Sequence, residues 1–158
     1  MNRDYSAIAK TVTASGDLQA RMQQAVDALW DGLHATGVSW VGFYTPDEIP
    51  DTQELRLAAR RDKPACSPIG LHGACGQCFL TQQPLVVRDV KELGEGYVAC
   101  DPRDQSEVVI PCFDGRGTCW GVLDLDSFDI GAFTENDVQG LTDVLIAAGL
   151  TTAKSRRN

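Results

Sequence analysis

Histidine and basic side chains are scarce in this sequence. Its 158 residues include two histidines, and 14 Lys and Arg stand against 22 Asp and Glu, which gives a formal net charge of −8 at pH 7. Nucleic acids and anionic membrane surfaces need a basic face, and none is visible, so neither is expected as a partner. The first thirty residues also lack the apolar run of a signal peptide or membrane span. We therefore expect a cytoplasmic protein.

The chain also lacks internal repeats, low-complexity segments and any linker long enough to divide it. A chain of this length can bury a substantial core as one domain. We therefore predict a single domain over residues 1–158, with its core at about 17–150. The polar and basic residues 152–158 are predicted to form a frayed tail.

The order of predicted elements indicates the α+β class. Apolar residues between 17 and 35 recur with helical spacing, and Ser15 or Asp17 is available as the cap. A closing helix is predicted to begin at Thr134, with Asp137 completing a capping box. Strands are predicted between the helices at residues 38–44, 55–60, 85–87, 108–113 and 119–125. We expect a central, largely antiparallel sheet with the N- and C-terminal helices packed on one face.

The six cysteines are the most reactive side chains in the sequence. In a reducing compartment they indicate catalysis, metal binding or plain core packing rather than a disulfide framework. Because only His34 and His72 exist, a constitutively activated Cys–His nucleophile is disfavoured. Cys100 remains the main candidate nucleophile, and a buried structural cysteine is the alternative interpretation.

Carboxylates follow Cys100 at the edges of apolar segments. Glu107 directly precedes the predicted strand at 108–113, and Asp124 and Asp126 share one face of the next strand because side chains alternate along a strand. Such a cluster could bind an ammonium group, and mutual repulsion would keep one carboxyl protonated near neutral pH. It therefore suits a reaction that protonates its substrate as a thiol attacks it, as sulfoxide reduction does. A solvated strand face is the alternative.

Two further cysteines flank a Gly-rich turn and could act with Cys100. Either Cys66 or Cys75 could resolve a sulfenic acid on Cys100 by forming a disulfide, or both could be inert loop thiols. Cys75-Gly-Gln-Cys78 has the spacing of a dithiol redox motif but lacks the βαβ context, so a helix with Cys78 packed inward is favoured. A zinc site built from Cys66, Cys75, Cys78 and Cys100 would lack a second C-x-x-C pair.

The remaining candidates are apolar or lie in turns. Trp40 and Tyr44 lie four residues apart on the first strand, so they share a face and could form the wall of an apolar pocket, although core packing is an alternative. His72 in the Gly-rich turn could contact a ligand or simply be exposed. Cys112 and Cys119 are symmetric about the turn at 114–117, so we predict that they lie directly opposite each other as packing residues.

The segments assembled here resemble the GAF domains, and within them the free methionine-(R)-sulfoxide reductases. The resemblance covers about residues 17–150, and the Val38–Tyr44 strand is similar to the family's Trp–Tyr strand. The other matching segments are Lys63-Pro-Ala-Cys66, Gly73-Ala-Cys75-Gly76, Val98-Ala-Cys100-Asp101, Ser106-Glu107-Val-Val, Gly121-Val-Leu-Asp124-Leu-Asp126-Ser127 and Phe133-Thr134.

The resemblance implies a role for each matching residue. It implies that Cys100 is the nucleophile that takes the oxygen, that Cys66 is the resolving cysteine and that Cys75 can join disulfide exchange. It also implies that the carboxylates and the two aromatic residues bind free methionine-(R)-sulfoxide, with the carboxylates polarising the sulfoxide; these residues are Glu107, Asp124, Asp126, Trp40 and Tyr44. A thioredoxin-type reductant and a homodimer are further implications. No metal or cofactor is expected.

Two alternatives to a complete reductase stay open at this stage. GAF domains also serve as sensors that bind cyclic nucleotides or pigments without chemistry, and a fold does not by itself imply a function. Acidic residues in the predicted pocket disfavour an anionic nucleotide. A degenerate reductase that cannot recycle its nucleophile is the other alternative.

Overall fold

The computed structural model describes residues 2–48, 53–94, 97 and 100–152. The described elements are, in chain order, α1 (Tyr5–Ala9), α2 (Leu18–Leu33), β1 (Val38–Pro46), β2 (Glu54–Arg61), β3 (Ile69–Gly70), α3 (Ala74–Thr81), β4 (Leu85–Val87), β5 (Ser106–Phe113), β6 (Cys119–Ser127) and α4 (Glu135–Ala147). Short 3₁₀ turns follow α2 and β4, at His34–Thr36 and Val90–Leu93. The predicted tail at 152–158 lies outside the described residues beyond Thr152.

The described strands form one six-stranded sheet in the order β3-β2-β1-β6-β5-β4. Every neighbouring pair is antiparallel. The long strands β1, β5 and β6 lie in the centre, and their apolar residues pack on both faces. The predicted antiparallel α+β architecture is therefore confirmed.

The long helices cover one face of this sheet. The Asp17 side chain accepts a hydrogen bond from Ala20 N at 2.8 Å and caps α2. The helix buries an apolar stripe that includes Leu29 and Leu33, and Gly37 in the left-handed region (φ +100°) turns the chain into β1. At Thr134 the predicted capping box is present, and α4 buries its apolar side on the same core.

A short N-terminal helix, which the sequence analysis does not predict, packs against α4. Ile8 of α1 is buried in the main core. Arg3 forms an ion pair with Asp137 at 3.0 Å, and the Tyr5 hydroxyl donates to the same carboxylate at 2.5 Å. These contacts fix the N-terminal segment to the start of α4.

The β5–β6 hairpin corrects one prediction. Cys112 and Cys119 do not lie opposite each other, because a bulge shifts the register between Cys112 and Phe113. Phe113 pairs with Cys119 instead, and Cys112 pairs with Gly121. Both thiols are nevertheless buried packing residues.

The opposite face of the sheet carries a second apolar cluster beneath α3. Trp40, Tyr44 and Val109 contribute to it from the strands, and Cys75 and Cys78 from the helix. The two faces thus divide the molecule into a helix-covered core and a smaller layer in which polar groups collect. Within the described ranges, no helix combines the length and the apolar character needed to cross a membrane.

Candidate active site

A cavity of about 520 Å³ lies on the α3 side of the sheet. Its wall includes every residue that the sequence analysis named as catalytic or substrate-binding; these are Trp40, Tyr44, Cys66, Cys75, Cys100, Glu107, Asp124 and Asp126. The volume is within the usual range for a small-molecule site. The structure therefore brings all of these residues to one place.

Strand register explains how the acidic residues meet. Asp126 pairs with Glu107 on one side and with Trp40 on the other, which makes a cross-strand row. Asp124 occupies the next row, where its partner on β1 is Gly42. Because alternate residues share a face, all three carboxylates point toward the cavity side.

The carboxylates lie in a desolvated environment. Glu107 and Asp124 are only 4% and 6% exposed, and Asp126 is partly buried. Burial, followed by the charge of Glu107, raises the pKa of Asp124 well above its ordinary value. Burial, followed by the charge of Asp124, raises the pKa of Asp126 in the same way. Like charges this close oppose one another's ionisation, so the cluster keeps a proton to higher pH than isolated carboxyl groups do.

Tyr97 and Asp104 belong to the same environment. The Tyr97 hydroxyl donates to Glu107 Oε2 at 2.7 Å. Burial raises the pKa of Glu107, and this hydrogen bond offsets the rise only in part. Asp104 is buried and accepts a hydrogen bond from Ser39 Oγ at 3.2 Å. Burial raises the pKa of Asp104 as well. Neither residue is predicted from the sequence, because neither lies in a periodic segment and many loop residues are acidic or aromatic.

The two aromatic residues form an apolar wall and also hold a loop in place. The rings of Trp40 and Tyr44 have centroids 6.1 Å apart. Trp40 Nε1 donates to the carbonyl of Lys63 at 2.8 Å, and the Tyr44 hydroxyl donates to the carbonyl of Cys66 at 2.8 Å. Both bonds anchor the segment that carries Cys66 to strand β1.

Gly42 makes room for the wall. A β-carbon at this position would lie 2.1 Å from Trp40 Cη2, so the indole covers a space that only glycine leaves open. We expect Gly42→Ala to displace the indole and to lower kcat/KM by roughly 10–100-fold, since small displacements at a reacting centre have effects of that size. Steady-state kinetics would measure this loss.

Gly140→Ala is the matched control for that variant. There the new methyl would lie 2.1 Å from Tyr5 Cδ2, at the contact between α1 and α4 and outside the cavity wall. We expect a lower free energy of unfolding and an unchanged kcat/KM. Equal losses of kcat/KM in both variants would contradict a specific role for Gly42.

The redox cysteines lie at the edge of the cavity. Cys66 and Cys100 form a disulfide with their Cα atoms 5.6 Å apart, and both residues are exposed. Cys75 is a buried free thiol in the first turn of α3. Cys78 packs inward from the same helix, and the four-cysteine zinc site is not assembled, since two of its members are bonded to each other.

An ion-pair network joins the two segments that carry the disulfide. Asp101 forms a salt bridge with Lys63, and Arg103 contacts the same carboxylate at 2.8 Å. These cations hold the pKa of Asp101 far below its usual range. Both cations also lie over the Phe128 ring, with 4.8 Å for Lys63 and 4.6 Å for Arg103 to its centroid.

His72 lines the cavity as an exposed loop residue.

The curled antiparallel sheet with a site on the face opposite the long helices defines a GAF domain. The chain belongs to the GAF domain family, whose model matches residues 17–151, and within it to the free methionine-R-sulfoxide reductases. The relative of that name from Escherichia coli K12 is 33% identical over 147 residues, which are 92% of this chain and 82% of that protein. The relative of that name from Saccharomyces cerevisiae is 32% identical over 76% of this chain and 67% of that protein.

A solved structure supports the same assignment. The free methionine-R-sulfoxide reductase of Neisseria meningitidis in complex with its substrate has a TM-score of 0.77 and 31% identity to this chain. The alignment covers 92% of this chain and 83% of that one. The family predicted from the sequence is therefore confirmed.

Proposed function

We propose that this protein reduces free methionine-(R)-sulfoxide to methionine, with Cys100 as the nucleophile. The observation that carries the proposal is the Cys66–Cys100 disulfide at the edge of a cavity that also contains buried carboxylates. The names of the Escherichia coli and yeast relatives support the same substrate.

The acidic side of the cavity suits the ammonium group of a free amino acid. In the part of the chain that the structure describes, Glu107, Asp124 and Asp126 have no ion pair with a lysine or arginine. A buried carboxylate without a counter-charge gains strongly from a cationic ligand. The ammonium group binds there, and the methyl group packs against Trp40 on the apolar wall.

The reaction proceeds in three steps, which are oxygen transfer, disulfide formation and reduction of the disulfide. The Cys100 thiolate attacks the sulfoxide while a protonated carboxyl group of the cluster gives its proton to the oxygen. The oxygen passes to Cys100 as a sulfenic acid, and methionine leaves with its sulfur reduced by two electrons. The Cys66 thiol then attacks the sulfenic sulfur, water leaves, and the disulfide forms. An external dithiol finally reduces the disulfide and restores both thiols.

Cys66 is better placed than Cys75 to resolve the sulfenic acid. Cys66 is exposed and bonded to Cys100, whereas Cys75 is only 5% exposed. Burial, followed by the charges of Asp124 and Glu107, raises the pKa of the Cys75 thiol well above its ordinary value. A raised pKa favours the protonated thiol, which is a poor nucleophile. Cys75 is therefore poorly suited to disulfide exchange.

The exposure of the disulfide suits a protein reductant. Because both cysteines reach the surface, a thioredoxin-type dithiol can approach the bond directly. The identity of that reductant, the homodimer and the cytoplasmic location stay predictions of the sequence analysis.

The proposal is tested by methionine release from the separate R and S diastereomers of free methionine sulfoxide. With dithiothreitol, and then with a thioredoxin system, we expect sustained release from the R form. A single burst followed by arrest would indicate the degenerate reductase. No release together with tight binding of a nucleotide or pigment would indicate the sensor and overturn the proposal.

The Lys63–Asp101 ion pair is expected to speed disulfide formation. Lys63 precedes Cys66 by three residues and Asp101 follows Cys100 directly, so the pair keeps the two thiols near each other after reduction. We expect Asp101→Asn, which removes the Arg103 contact as well, to slow disulfide formation by up to about fivefold, the effect typical of ion pairs near the surface. Rapid-quench trapping of free thiols after one turnover measures that rate.

Asp27→Asn is the control for this variant because it removes a comparable surface pair, Arg61–Asp27 at 2.9 Å, away from the cavity. Its disulfide step should match the wild type. A slower first release of methionine in Asp101→Asn, with normal disulfide formation, would contradict the assigned role.

A further inference from the structure

A buried thiol and two buried carboxylates converge beneath the first turn of α3. Cys75 Sγ and one carboxylate oxygen each from Glu107 and Asp124 all lie within 4.8 Å of one another. The three residues come from three different elements, α3, β5 and β6, and all are buried. Packing of the helix on the sheet therefore fixes the cluster, which does not depend on a mobile loop.

One residue of this cluster carries an unsatisfied carboxylate oxygen. Asp124 Oδ1 is buried and has no hydrogen-bond partner among the described residues. Asp124 is only 6% exposed, and it lines the cavity. Glu107, by contrast, accepts a hydrogen bond from Tyr97 at 2.7 Å and shares a further hydrogen bond with Asp124. An unpartnered buried carboxylate oxygen indicates a missing cation or donor.

We propose that this cluster binds a divalent transition-metal ion, specifically Zn²⁺, through Cys75 Sγ and one oxygen from each of Glu107 and Asp124. Zinc accepts this mixed donor set at about 2.3 Å for sulfur and roughly 2.0–2.2 Å for oxygen. Donors that lie within 4.8 Å of one another would reach those distances through side-chain rotations alone. Magnesium and calcium avoid thiolate ligands, so the sulfur selects for a softer ion.

All three ligand residues line the cavity, so a fourth coordination position would open into it. Three protein ligands and one open position is the pattern of zinc sites that exchange water or a ligand. Binding involves no change of oxidation state: the Cys75 thiol gives its proton to solvent and its sulfur bonds to the ion. The ion neutralises charge that the protein itself leaves unpaired at Asp124 and Glu107.

Zinc and the substrate's ammonium group would then compete for the same carboxylates. This consequence rests on the proposed function, whereas zinc binding itself does not. A bound ion makes the reductase sensitive to free zinc, because it displaces the amino group and removes the proton that the carboxyl cluster supplies. The structure thus assigns Cys75 a role distinct from disulfide exchange.

The test uses the full chain with the Cys66–Cys100 disulfide intact, so that neither of those sulfurs can bind metal. Zn²⁺ is titrated in competition with a chromophoric chelator, and Co²⁺ is added separately to detect a thiolate-to-metal charge-transfer band. We expect one metal ion per chain and a clear band. Cys75→Ala should remove the band and weaken zinc binding by at least about tenfold, the loss that even outer-shell changes produce.

Cys78→Ala is the matched control, since Cys78 is a buried cysteine on the same helix but outside the cluster. It should keep the band and the affinity. Asp124→Asn supplies a second variant that leaves the thiol in place, and it too should weaken binding at least about tenfold.

Two results would overturn the inference: no zinc uptake by the oxidised wild type, or uptake that is unchanged in both Cys75→Ala and Asp124→Asn. Methionine release is measured on the same preparations without metal. Zinc binding without methionine release would leave this inference standing and reject the proposed function. Release without zinc binding would do the reverse.

Discussion

Cys100→Ser is expected to abolish methionine release, including the first turnover. The Cys100 thiolate attacks the sulfoxide and takes its oxygen as a sulfenic acid, and a serine hydroxyl cannot do this. We expect the rate of methionine release to fall on the order of 10⁴-fold or more, as for other nucleophile replacements. The assay is methionine release per chain in the presence of dithiothreitol. Residual turnover near the wild-type rate would contradict the assignment of the nucleophile.

Cys66→Ser separates the first turnover from the later ones. The variant still forms the sulfenic acid on Cys100, but the exposed partner that closes the disulfide is lost. With a thioredoxin system we expect release of about one methionine per chain followed by arrest, because a protein dithiol restores the thiols by exchange with a disulfide and no disulfide forms on Cys100 without Cys66. Cys119→Ala, at a buried thiol outside the cavity wall, is the control and should turn over normally.

Cys75 provides the outcome that would reverse this assignment. If Cys66→Ser turned over continuously and Cys75→Ser stopped after one turnover, the buried thiol would be the resolving group. Helix α3 would then have to move, because Cys75 is only 5% exposed in its first turn.

Periodicity predicted most of the fold, and local irregularities account for what it missed. The α2 stripe and the strand alternation are long enough to specify burial and, through it, the face that each residue occupies. The bulge at Cys112/Phe113 inserts one residue into a pair that symmetry about the turn treats as regular. Helix α1 spans five residues, too few for a periodic signal.

In the candidate site too, periodicity predicts some of the residues and local irregularities account for the others. Asp124 and Asp126 could be placed on one face from alternation alone, because two carboxylates inside an apolar strand are conspicuous. Tyr97 and Asp104 lie in irregular segments whose path depends on tertiary contacts. Gly42 carries no local signal, since its function is to leave room for an indole that lies two residues away in the sequence.

Asp124→Asn is expected to make the protein more stable at neutral pH while it removes activity. Asp124 is buried, one of its oxygens lacks a hydrogen-bond partner among the described residues, and its pKa is raised by burial and by Glu107. Ionising it in the folded state therefore costs free energy that a neutral amide does not. We expect the free energy of unfolding to rise by at least about 1 kcal/mol, since a buried polar group without a partner costs about that much or more. Sites that sacrifice stability for function behave in this way.

The sign of the pH dependence follows from the direction of the shift. A carboxyl whose folded-state pKa is raised contributes its full stability below its ordinary pKa of about 3.9, and that stability is lost as pH rises toward the raised value. Wild type and Asp124→Asn should therefore have similar stability near pH 4. Their difference should grow toward pH 7, and urea unfolding at a series of pH values measures it.

Asp137→Asn is the matched control and should change stability in the opposite direction. Asp137 is also 6% exposed, but it has an ion pair with Arg3 at 3.0 Å and accepts a hydrogen bond from Tyr5 at 2.5 Å. Neutralising it leaves the Arg3 guanidinium unpaired, so the free energy of unfolding should fall by about 3 kcal/mol or more. If both substitutions destabilised the protein, Asp124 would not be a destabilising residue. The interpretation that its buried carboxylate lowers stability in order to bind a cation would then be wrong.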